Sequence, residues 1–137
     1  MPTSRLLPVL CPGRVRQIPA SFAWIDHRLR SGGFLQRMSS DEAGLYLFLA
    51  LAADRQGLSC WRLDRIEREL LCVDIPSLRE ARAGLIRMNL LAYQPWSPRA
   101  HDGSYQLLAL PPAPPPVPRS GPKPIAELLS DLCALGR

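Results

Sequence analysis

The chain is nearly without lysine. Of its 17 basic residues only Lys123 is a lysine, and the rest are arginines. It has two histidines, His27 and His101, in no recognisable catalytic frame. Its four cysteines, Cys11, Cys60, Cys72 and Cys133, form no C-x-x-C pair, which argues against a zinc site and against a disulfide framework. Lone cysteines of this kind usually behave as small buried hydrophobes. No apolar run approaches the ~20 residues of a membrane span. Leu6 to Cys11 is short for a signal h-region and is broken by Pro8. Neither membrane insertion nor export is expected, and a reducing cytoplasm fits best. Gly32-Gly33 lacks the spacing and the following Lys-Ser/Thr of a phosphate loop. Ser59-Cys60 lacks a local His or Asp partner pattern. The expectation is therefore no catalytic residue, no metal ligand and no cofactor.

What charge there is lies unevenly. The net +5 belongs to residues 1–38, where six arginines face the single Asp26. Residues 39–110 carry eight arginines against nine acids, and 111–137 three basic groups against two acids. A basic N-terminal arm is a candidate phosphate-binding element. A preference for arginine codons in a GC-rich genome accounts for the same composition equally well. Residues 1–20 show no helical period and read as an extended arm.

From residue 21 the chain reads as folded. Phe22, Ile25 and Leu29 share a helical face, closed by Gly32-Gly33, which predicts a helix over 21–31; Pro19 just upstream leaves an extended start up to Ile25 open. Ser39 and Glu42 have capping-box spacing and open the strongest helix. Ala43 to Ala53 is apolar almost throughout, so this helix is expected to be buried on all sides. Gly57 ends its polar close, and Leu58–Trp61 is a candidate short strand. Leu63, Ile66 and Leu70 give a short amphipathic helix. Asp74 is an N-cap type, and Pro76 suits a first turn. Leu78, Ala81, Leu85 and Met88 then share one face of a helix. Asn89 follows the last of them, where a left-handed residue often ends a helix. Residues 90–94 and 104–110 read as strands, joined by a loop with an Asp102-Gly103 turn signal.

The stretch Leu85-Ile86-Arg87-Met88-Asn89-Leu90-Leu91 is similar to the end of the recognition helix in bacterial winged helix-turn-helix domains. Their pattern is roughly Leu-x-x-x-Gly-Leu-Ile, and Asn stands here for Gly. Over residues 39–110 the order of helix, short strand, helix, turn, helix, strand, loop and strand also resembles that family. The resemblance implies an α+β fold: a three-helix core with a small antiparallel β-wing over 21–110. The helix 21–31 would be an addition, and residues 1–20, 111–124 and 125–137 would be arm, linker and tail. It also implies double-stranded DNA as partner, with the chain a bacterial transcriptional regulator or an accessory of replication, plasmids or mobile elements, as in DnaD-like proteins. The helix carrying Arg79, Arg82 and Arg87, with Ser77 in its first turn, would enter the major groove, where arginine reads guanine edges. Arg99 and His101 would lie in the wing, near phosphate or minor groove. Trp24, Trp61 and Trp96 read as core or wing-packing residues.

A second reading keeps the winged helix but makes it a protein-binding adaptor. Residues 111–124 form a Pro-rich, stiff linker. After it Ile125, Leu128, Leu129, Leu132 and Cys133 make one apolar stripe. An isolated helix this short is marginal in water, so the stripe needs a surface. That surface is its own domain, a second copy in a homodimer, or another protein. Linker stiffness favours an intermolecular partner.

Overall fold

The computed structural model describes residues 7–70, 73–100 and 102–116. His101 and the stripe of Ile125, Leu128, Leu129 and Leu132 lie outside them. The described chain is mixed α+β. Its helices are α1 (Arg28–Ser31), α2 (Ser40–Ala52), α3 (Leu63–Glu69) and α4 (Ile75–Arg87). Its strands are β1 (Leu58–Trp61), β2 (Leu91–Pro95) and β3 (Gly103–Leu107). They form one antiparallel sheet in the order β1-β3-β2, with Ser59 opposite Tyr105 and Tyr93 opposite Tyr105. No helix among the described residues is long and apolar enough to cross a membrane.

Local chemistry fixes most boundaries. At α2 the Ser39 hydroxyl accepts the Glu42 N–H at 3.1 Å, and the Glu42 carboxylate accepts the Ser39 N–H at 3.4 Å. This is the expected capping box. After α2 the chain turns on Asp54, whose carboxylate accepts the N–H groups of Gln56 and Leu58. Gly57 completes the turn at φ +85°, and a Cβ there would come within 2.6 Å of the Leu107 carbonyl oxygen. Only glycine fits. At the end of α4 Asn89 has φ +60°. Its N–H reaches the Ile86 carbonyl and that of Leu90 the Leu85 carbonyl, the pair of bonds of a Schellman motif. The chain thereby reverses from α4 straight into β2.

The core holds the expected stripe of α4, with Leu78, Ala81, Leu85 and Met88 all buried, together with Leu45, Leu49, Ile66, Leu90 and Tyr105. Two expectations fail. The helix over 21–31 shrinks to Arg28–Ser31. Asp26 sets the later start: its carboxylate accepts the Arg28 N–H and its carbonyl the Leu29 N–H. Of the three residues expected on the inner face only Leu29 is buried, while Phe22 is 66% exposed. Nor is α2 buried all round, since Leu47 is 49% and Leu51 67% exposed. Its other sides meet α4 and the sheet, and among the described residues nothing covers this one. A residue given no role in the sequence reading, Phe34, is 1% exposed and lies in the core.

Candidate nucleic-acid interface

The N-terminal cap of α4 comes first. The Asp74 carboxylate accepts the Ser77 N–H at 2.9 Å. Hydrogen bonds from the Ser77 side chain, then from its backbone, hold the Asp74 carboxyl below its usual range. Ser77 is thus half-buried and engaged in the cap. A depressed carboxyl stabilises the fold above the unfolded pKa near 3.8, and this stability drains away as pH falls through the lower folded value. Asparagine caps equally well but does not titrate there. Asp74→Asn is therefore expected to melt like the wild type at pH 7 and to lose less of its melting temperature between pH 4 and pH 2. Parallel acid limbs in a thermal-melt series would refute this.

The outward face of α4 carries Arg79, Glu80, Ile86 and Arg87, all exposed, with Ala83 half-buried between them. Neither Arg79 nor Arg87 forms an ion pair among the described residues. Arg82 does not join them. It is 9% exposed, and its Nη1 donates to the Tyr105 hydroxyl at 3.1 Å. Its guanidinium carbon stands 4.0 Å from the centroid of the Tyr93 ring. Four residues after Leu78 and three before Leu85, it lies on the inner face, over the tyrosine pair of β2 and β3. The place of Arg82 on a DNA-facing flank is thereby corrected: it ties helix to sheet. Burial raises the Tyr105 pKa, and the bond from Arg82 offsets part of that rise.

The loop between β2 and β3 carries Arg99, exposed. Its tip turns through a bond from the Ala100 N–H to the Ser97 carbonyl, and its base closes through Trp96 N–H to the Asp102 carbonyl, each 3.0 Å. The Asp102 carboxylate also accepts the Leu63 N–H at 2.9 Å, so the loop base caps α3.

Several carboxylates of residues 39–110 are engaged in caps and turns, although Asp54 and Asp74 stay exposed. Glu42, Asp54, Glu67, Asp74 and Asp102 all accept backbone N–H groups. Asp64 pairs with its neighbour Arg62 at 3.2 Å. Five of the nine acids in residues 39–110 are thus held against the backbone, while Glu69 and Glu80 stay exposed. Long arginine side chains reach further into solvent.

Two further features were not legible in the sequence. Arg87 shares a shallow recess of 180 Å³ with Arg37, Glu42, Gly84, Pro115 and Pro116. Here α2 and α4 approach so closely that a Cβ on Gly84 would stand 2.7 Å from the Glu42 carboxylate. Arg37 Nη1 donates to the Pro115 carbonyl, so the proline-rich segment starts out against the domain. The second is a groove of 740 Å³ at the other end of α2, lined by Phe22, Trp24, Tyr46, Leu51, Asp54 and Leu108, among others. Among the described residues no group of His, Cys, Asp or Glu is placed to hold a metal ion. No protein-family model matches the chain, and neither a curated protein nor a solved structure does.

Proposed function

We propose that the domain is a winged helix that binds double-stranded DNA through the outer face of α4, as a transcriptional regulator or an accessory of replication or of a mobile element. The observation that carries this reading is the pairing of exposed Arg79 and Arg87 on one helix face with acids engaged elsewhere in caps. The sheet order β1-β3-β2, with Arg99 on the β2–β3 loop after α4, is compatible with the winged-helix plan. In this reading Arg79 and Arg87 meet bases or phosphates, and Arg99 meets the backbone beside them. Ser77 contributes its place at the helix start, its side chain being bound to Asp74.

The test is titration of labelled duplex at several salt concentrations. Arg79→Ala/Arg87→Ala is expected to melt like the wild type and to bind more weakly. The loss is ~1–3 kcal/mol for each bidentate base contact removed. For each phosphate contact removed, the log–log salt slope falls by about 0.9. Wild-type affinity in the double variant, or no duplex binding by the wild type, defeats the proposal. A protein-binding adaptor is the second reading, and one observation favours it. Ile86 is exposed between the two arginines, with Glu80 beside them, a mixture more usual for a protein partner than for phosphate.

A further inference from the structure

The solvent side of α2 is uncharged along its length. Ala43, Gly44, Leu47 and Leu51 succeed one another at helical spacing, and a Cβ on Gly44 would meet nothing within 4 Å. The stripe runs into the groove walled by Phe22 and by Trp24, which is 75% exposed. In a chain with 29 charged residues, an open apolar face of this kind calls for a covering element.

Where the described chain ends points to that element. Pro115 and Pro116 lie against the recess formed with Glu42 and Gly84, beside the first turn of α2. Eight residues, 117–124, separate this point from Ile125. At about 3.1 Å per residue in a polyproline conformation they reach roughly 25 Å. Helix α2, with 13 residues, is roughly 20 Å long at about 1.5 Å each. Starting at one end of α2, these eight residues are long enough for residue 125 to reach the other end, where the groove is. Stiffness argues for an outside partner only when the linker points away from the domain, and its first residues are bound to it through Arg37. From the far end, a helix running back would lay Ile125–Leu132 along Gly44–Leu51, two stretches of equal length, roughly 10 Å each. The small Ala43 and Gly44 permit a close approach. Tethering also gives the tail an effective concentration that a free partner of equal affinity does not match.

We infer that the apolar stripe of residues 125–133 of this same chain docks in cis on the exposed face of α2 and the groove at its end. Tryptophan fluorescence reads this directly, with the full chain carrying Trp96→Phe so that Trp24 is the exposed indole. Leu128→Asp/Leu132→Asp is expected to raise acrylamide quenching of Trp24 severalfold, to lower the melting temperature, and to sediment as the same monomer as the parent. Leu47→Ser/Leu51→Ser is expected to do the same, and the two pairs combined to do no more than either alone. If that surface variant fails to fold, the tail variant, altered outside the described domain, decides by itself. Unchanged quenching in the tail variant overturns the inference, as do strictly additive effects of the two pairs. It is also overturned by a parent that sediments as a dimer and a tail variant that does not, since the occupant is then a second copy.

Discussion

Replacing Arg82 by alanine is expected to destabilise the domain by about 3–5 kcal/mol, in the absence of any ligand. Three losses combine. The Tyr105 hydroxyl, buried with its residue 1% exposed, loses a donor 3.1 Å away. A hydrogen bond involving a charged group contributes about 1.5–3 kcal/mol. The guanidinium 4.0 Å above the Tyr93 ring loses a desolvated cation–π contact worth up to about 2 kcal/mol. Truncating the long side chain also leaves a cavity beneath α4. For a domain of this size the melting temperature should drop by well over about 10 °C. Arg82→Met refills much of the volume without the polar bonds and should recover part of the loss. A melt of Arg82→Ala superimposed on that of the wild type would show that the side chain is not the helix–sheet tie described. The contrast with Arg79→Ala/Arg87→Ala is diagnostic, because there binding should fall and stability should not.

Phe34→Ala is expected to cost a similar amount, about 3–5 kcal/mol for a fully buried aromatic. Phe34 follows Gly32-Gly33 and precedes the 3-10 turn Leu35–Arg37. Its ring passes so close to Gly32 that a Cβ there would stand 3.2 Å from it. The core therefore extends upstream of α2, and a domain cut at residue 39 would lack one of its largest buried side chains. Phe22→Ala, at a position 66% exposed, is the control and should change the melting temperature little. Equal melting of the two variants in denaturant or heat would place Phe34 outside the cooperative unit.

Much of the architecture was legible because its signals are local. The capping box at Ser39, the Asp74 cap and the turn at Asn89 each depend on a few adjacent residues, and each forms as its chemistry dictates. The inner face of α4 follows from spacing alone. What was misread depends on residues distant in sequence. Arg82 falls on the same helical face as Leu78 and Leu85, yet its charge suggested solvent; only the tyrosines of β2 and β3 make burial tolerable. The apolar composition of α2 suggested burial on every side, but composition does not count the elements available to cover a helix. Phe34 sits in a short segment without periodicity, so no pattern marked it. For the candidate site, the exposure of Arg79, Arg87 and Arg99 agrees with the helical wheel and the loop position. That Ser77 is tied to the cap, and that so many acids are turned onto backbone N–H groups, required coordinates.

The strand order has a consequence for a chain emerging during synthesis. β3 is the last of the described strands to be made and the central one in the sheet, with β1 and β2 bonded to it and not to each other. Until residue 107 is available, both earlier strands present unpaired edges, and Arg82 lacks the Tyr105 hydroxyl it binds. The nascent domain can assemble α2 against α4 early, since both helices precede β3 in the chain. It can seal only when its final strand slides between the two that wait for it. A stall that keeps residues 103–107 inside the ribosome would therefore hold the chain at its most adhesive stage, and their emergence would end it.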